Sequence, residues 1–484
     1  NYYDLPMGFY QTYYLTGLTE YRDYAQTAAR SWWRATANGG RFLMDPSTTH
    51  IASRRYPFGG LALWALDLAD QGSASVTING ESQPASVWST RILKWLNHAA
   101  GITGWLNLDN QTPTAKPSDF GKQPREAAYA TLHHIICARV CPDSTGTVTV
   151  SGTSVTWASG DEFEHYLWFG QTITINGSPY TINASNSRTS LGVSNAPGNG
   201  TFAYSVNNQA IHLNKVNTLI TNYWLPWQCK SSNPSPRCQT PDGPYRGLDP
   251  GSVYAGNGSM PFMESLIPEM LSRAKMLPGF TAGTDLDTVL TSLAGWLKDG
   301  AGNGGTTLWV TSTGLDGRTC NHPQYWMLAT AGGASDANGN QPDGAACATI
   351  DRIRNNRTLS NDYWGAMMYA WTLTGSTAYR DRGDLAGNAF CRDENYAECD
   401  GYSGIGIGLP VGSEDFNTTN LKDPAKLKQI GQGARSSSAA EHWRVNDPYT
   451  AGGTTTVRSA VTIPAGSNEA YWETREGRTG TCAT

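Results

Sequence analysis

Three carboxylates in this 484-residue chain have the type and setting for glycosidic-bond chemistry: Asp4, Asp362 and Glu264. Cleaving such a bond takes two carboxyl groups facing it, one as acid and one as base or nucleophile. Asp4 and Asp362 hold matching positions in two similar stretches, and Glu264 follows Met260-Pro261-Phe262-Met263. The pairs Glu414-Asp415 and Glu441-His442 are further candidates. A plainer reading makes each acid a helix N-terminal residue that meets backbone N–H groups and the macrodipole. β-Elimination would instead use a His or Tyr base beside a cation that neutralises a uronate. His133-His134, Arg54-Arg55-Tyr56, and His322 near Tyr325 and Trp326 supply those types. Trp364, Trp371, Tyr10, Arg55 and His134 are the residues expected to hold a sugar, the aromatic rings by stacking on its apolar face.

Metal chemistry has one candidate loop. Asp336, Asn338, Asn340 and Asp343 place oxygen donors at near-alternate positions before a glycine, as a calcium loop does. The terminal bidentate Glu of an EF-hand is absent, and a solvated Asx-turn loop explains the same residues. The acidic run Cys391–Asp400 reads the same way. Calcium is thus the single cofactor suggested. No His-x-x-x-His, P-loop, Gly-x-Ser-x-Gly or dinucleotide fingerprint occurs.

Nine cysteines occur without any C-x-x-C pair, which argues against zinc ribbons and thioredoxin-type redox motifs. Cys229 and Cys238, Cys320 and Cys347, and Cys391 and Cys399 each bracket a short polar loop. Bridges of that kind suit a secreted or cell-surface protein, although connectivity cannot be deduced from spacing. Seven Asn-x-Ser/Thr sequons permit glycosylation, and the start at Asn1 fits a mature form freed of its signal peptide. A formal net charge of −5, with 15% charged residues, leaves no basic excess for nucleic acid. No apolar run reaches the roughly 18 residues of a membrane span. With 17 Trp, 23 Tyr and 53 Gly, the composition leans toward an extracellular protein working among sugars.

Helical periodicity is expected over Tyr3–Leu15, Glu20–Ala35, Tyr56–Ala69, Val87–Ala100 and Gln123–Val140. Beyond Cys141 the text changes to short alternating runs, Thr147-Val148-Thr149-Val150 and Ile173-Thr174-Ile175, bounded by Asn-Gly and Ser-Gly turns. Helices resume at Ala210–Trp224, Pro261–Met276, Asp285–Lys298 and Tyr363–Thr372. Asp4–Asp23 and Asp362–Asp381 align without a gap at an offset of 358 residues. Leu15-Thr16-Gly17 matches Leu373-Thr374-Gly375, and Tyr21-Arg22-Asp23 matches Tyr379-Arg380-Asp381. Such a helical hairpin cannot bury its apolar face alone, so several must stack.

The helix–Leu-Thr-Gly–x-x-x-Tyr–helix pattern resembles the hairpins of (α/α) toroid proteins, the six-hairpin glycosidase-like superfamily and the toroid polysaccharide lyases. The resemblance implies a mainly α fold: a toroid of five to six hairpins formed by residues 1–142 and 208–432. Residues 143–207 would be an inserted β module and 433–484 a β-rich tail. It also implies a secreted glycoside hydrolase-like or lyase-like protein that holds a polysaccharide in a cleft. The rival expectation is a non-enzymatic structural or adhesive subunit that self-associates in a filament or surface layer.

Overall fold

The computed structural model describes residues 4–16, 19–35, 57–102, 124–228, 258–259, 261–281, 286–300, 307–313, 319–323, 327–328 and 361–383. Helices α1 (Leu5–Thr16) and α2 (Thr19–Ala35) pair with each other. In α2 the buried residues Ala25, Ala29, Trp32 and Trp33 recur at helical spacing and face inward. Helix α3 (Phe58–Asp70) is apolar on every side, and ten of its residues are buried. It is therefore a central element, packed on α1, α2 and the helices that follow.

A hairpin of β1 (Ser75–Ile78) and β2 (Glu81–Pro84) leads from α3 into α4 (Ala85–Ile102). Its turn is Asn79-Gly80, both at positive φ, the two-residue connection that matches strand twist. Helix α4 buries Trp88, Ile92, Trp95, Leu96 and Ala99 against α3. Helix α5 (Pro124–Val140) is buried almost throughout, and it packs against α3, α4 and the later helices.

Residues 144–206 leave this helical body and close into a barrel. Its strands are β3 (Ser144–Ser151), β4 (Ser154–Gly160), β5 (Thr172–Ile175), β6 (Ser178–Ser187), β7 (Ser190–Val193) and β8 (Gly200–Val206). All neighbours are antiparallel in the order β3-β4-β7-β6-β5-β8, and β8 returns to β3. The interior is filled by Val148, Val150, Val155, Ile173, Ile175, Leu191 and Val193, joined by Phe163 and Trp168 from the short helix α6 (His165–Trp168) and its approach. The barrel thus has a packed core and closes its own edges.

Helix α7 (Asn208–Leu219), capped by Asn207 accepting from the Ala210 N–H at 2.9 Å, rejoins the helical body against α5. Asn208 ties exit to entry: its Nδ2 donates to Pro142 O at 2.8 Å and Ser144 Oγ at 2.9 Å, and its Oδ1 accepts from the Trp168 indole at 3.1 Å. Helices at Leu266–Lys275, Leu286–Asp299 and Asn361–Thr374 extend the helical core.

These elements correct the expected architecture. The chain is a helical body carrying a closed six-stranded barrel and small two-stranded sheets, and it is not an (α/α) toroid. The matching stretches do each hold two successive helices, with Gly375 at φ 71° between the two of the second. Each packs on its own local neighbours: α1 on α2 and α3, the Asn361–Thr374 helix on Leu266–Lys275 and Leu286–Asp299. Sequence similarity between two hairpins specifies how each folds locally, and gives neither a surface complementary to the other. The expected β-rich tail at 433–484 lies outside the described residues. Among the described residues no helix is long and apolar enough to cross a membrane.

Candidate functional site

A cleft of about 650 Å³ opens where α4 meets the barrel. Helix α4 presents Arg91, Lys94, Trp95 and His98 to it, residues three and four apart on one face. The opposite wall comes from Trp157 on β4 and from the run Asp161-Glu162-Phe163-Glu164 between β4 and α6. Arg188, in the β6–β7 turn, completes the rim.

Every carboxylate in this wall meets a basic group. Lys94 Nζ lies 2.6 Å from Asp161 Oδ1, Arg188 Nε 2.9 Å from Glu162 Oε2, and His98 Nδ1 2.6 Å from Glu164 Oε2. Asp161 also accepts the Thr145 N–H at 3.0 Å, and its backbone carbonyl accepts the Tyr204 hydroxyl. Burial, followed by the nearby Asp161 and Glu164 carboxylates, pushes the Tyr204 phenol up, so it stays a donor. The His98–Glu164 pair is the least exposed of the three, at 6% and 12% of side-chain surface, where a charged or hydrogen-bonded contact is screened least. Behind the cleft Trp33 packs edge-on against Trp95, centroids 5.5 Å apart. The Trp157 indole N–H has no acceptor among the described residues.

The residues singled out from the sequence lie elsewhere. Asp4 is buried beneath the start of α3, its Oδ2 accepting from Gly59 N at 2.6 Å and its Oδ1 from Gly60 N and Met7 N at 3.1 Å. Burial raises its carboxyl from 3.8 to about 7 against the pull of these donors and of Arg273. The two glycines permit this approach, since a Cβ on Gly59 would stand 2.3 Å from Met7 Sδ and one on Gly60 2.7 Å from Met7 N. Asp4 is thus a side-chain cap for a helix 55 residues downstream, the plainer of its two readings. Tyr10 is buried and donates to Asp67 Oδ2 at 2.8 Å. Glu264 is fully buried in the short helix Pro261–Glu264, and Trp371 is core, with the Arg380 guanidinium 5.8 Å from its ring.

Asp362 and Trp364 fall on the Asn361–Thr374 helix, and their side chains lie outside those described. The structure brings neither Asp4 nor Glu264 to the cleft. His134 is buried between α5 and α7, with its Nδ1 2.8 Å from His212 Nδ1. Arg55, the loop residues Asp336, Asn338, Asn340 and Asp343, and Cys229, Cys238, Cys347, Cys391 and Cys399 lie outside the described residues. Cys320 is on a described strand, but its side chain is not described. Among the described residues a disulfide joins Cys137 to Cys141 at the end of α5.

Sequence reasoning missed His98, Glu164, Asp161 and Trp157. A local signal did exist, three carboxylates within four residues at the end of a strand. Nothing local announces His98, which becomes a partner of Glu164 only when α4 docks on the barrel. Compared with protein-family models, curated proteins and solved structures, the chain matches none of them.

Proposed function

We propose that this chain binds an extracellular glycan in the α4–barrel cleft. The observation that carries the reading is the pairing of the Trp157 wall with a self-neutralised set of ion pairs. Trp157, half-buried on β4, offers flat apolar area at low conformational cost, which suits the C–H face of a pyranose. Lys94–Asp161, Arg188–Glu162 and His98–Glu164 are fixed donors and acceptors for hydroxyl groups, and the three acids offset the basic residues that hold them. A volume of about 650 Å³ falls within the range of small-molecule sites and accommodates a short oligosaccharide. The composition and the disulfide fit a secreted or cell-surface setting.

A second reading, turnover of that glycan, is favoured by one contact. Glu164 orients the His98 ring, as an acid does for a general base, and the Lys94 and Arg188 cations on the same cleft supply positive charge toward a uronate. Two-carboxylate hydrolysis has less support, because each acid is already engaged by a basic group.

Titrating a polysaccharide panel by calorimetry and tryptophan fluorescence tests the reading. Trp157→Ala is expected to weaken binding by about tenfold or more, with the circular dichroism unchanged. Binding indifferent to Trp157→Ala, or no ligand in the panel, overturns it. Release of reducing ends or unsaturated uronates, lost in His98→Asn, separates turnover from binding alone.

A further inference from the structure

The end of α5 and the middle of α7 bury a second cluster, joined to the wall of the cleft through Asn97. Cys137, Cys141 and His212 each offer one ligand atom, and these atoms lie within 4.8 Å of one another. All three side chains are fully buried. His134, one turn before Cys137 on the same helix, places its Nδ1 2.8 Å from the Nδ1 of His212. Two cysteines and one histidine from two packed helices supply three of the four donors of a Cys/His zinc site.

Hydrogen bonding fixes which atoms are available. Asn97 Oδ1 lies 2.9 Å from His212 Nε2 and accepts from it, so that nitrogen carries the proton. The His212 Nδ1 is then left with its lone pair, which accepts from His134 Nδ1 at 2.8 Å while the cysteines are bridged. An amide oxygen that orients a histidine through its far nitrogen is the usual outer support of a metal-bound imidazole.

We propose that Cys137 and Cys141, in their dithiol form, bind a thiophilic divalent cation such as Zn(II) together with His212, whose Nδ1 exchanges its His134 hydrogen bond for the ion. A tetrahedral ion with bonds of 2.0 to 2.3 Å keeps its ligand atoms about 3.3–3.8 Å apart; the three ligand atoms lie within 4.8 Å of one another, and the two sulfurs must part from their disulfide to take that spacing. Breaking the sulfur–sulfur bond takes two electrons and two protons from a dithiol reductant, which becomes a disulfide. Zn(II) then displaces one proton from each thiol, so two protons leave for each ion bound. The cluster is thus a redox-selected staple between α5 and α7: a disulfide within one helix when oxidised, a metal bridge between two helices when reduced.

The test uses the full chain, unfolded with a phosphine reductant and refolded with Zn(II) or Co(II) so that burial does not limit entry. Bound metal is counted after desalting, and Co(II) reports tetrahedral thiolate ligation by its absorption. The other seven cysteines are handled by comparison: Cys137→Ser/Cys141→Ser and His212→Ala are each expected to lose about one equivalent relative to wild type, and Cys229→Ser/Cys238→Ser to keep it. If a variant fails to fold, alkylation of reduced wild type mapped by peptide mass spectrometry decides. Zn(II) is expected to slow modification of Cys137 and Cys141 by about tenfold, reversed by a chelator. Equal metal content in the cysteine and histidine variants, or alkylation at those two positions indifferent to Zn(II), overturns the proposal.

Discussion

The His98 Nδ1 on α4 stands 2.6 Å from Glu164 Oε2 in the segment between β4 and α6, and this contact ties the barrel to the helical body at the mouth of the cleft. Removing either partner leaves the other polar group part-buried and unmatched. Glu164→Gln and His98→Asn are each expected to destabilise the chain by about 1–3 kcal/mol. In a double-mutant cycle, a coupling of about 1 kcal/mol or more by denaturant unfolding is the expected result. Additive losses would show that the two groups do not act as a pair.

Asp4 links stability to pH through its raised carboxyl. Its folded value, about 7, lies above the unfolded value of 3.8, so the folded state holds a proton that the unfolded chain releases. The associated stability is complete below about pH 4 and is lost as pH rises through 7. Relative to Asp4→Asn, which does not titrate, wild type is expected to gain about 2–4 kcal/mol between pH 7 and pH 4. Denaturant unfolding of both proteins across that range checks the sign.

Gly60 is expected to resist any side chain. A Cβ there would meet Pro6 Cβ at 2.4 Å and Asp4 Oδ1 at 2.7 Å, forcing α1 away from the start of α3. Gly60→Ala should cost about 1–3 kcal/mol, although alanine favours helix elsewhere. A melting temperature equal to wild type would contradict the close approach.

The buried histidines act in the direction opposite to Asp4. His133, stacked on Phe58 at 4.0 Å, and His134 and His212 all have depressed values, caused first by burial. Their contribution is present above about pH 6.5 and is lost as pH falls, because the unfolded chain takes up protons that the folded one refuses. Each contributes a slope of about 1.4 kcal/mol per pH unit below that point. His134→Asn should reduce the measured slope between pH 6 and pH 4 by about that amount, and an unchanged slope would place the titration elsewhere.

Local signals in the sequence determined the local elements. The apolar run after Pro57 reads as a buried helix, and the Thr-Val alternation at 147–150 lies along β3. The Asn79-Gly80 and Asn176-Gly177 turns set their hairpins because these residues accept positive φ. What depends on distance along the chain was decided by packing. The partner of Asp4 is an N-terminus 55 residues away, so its buried cap cannot be told from an exposed catalytic acid by residue type. His98 and Glu164, 66 residues apart, share a cleft only because the barrel closes and docks on α4. Periodicity fixes which face of each helix is apolar; which other face covers it depends on complementary shape, and that exists only in the folded chain.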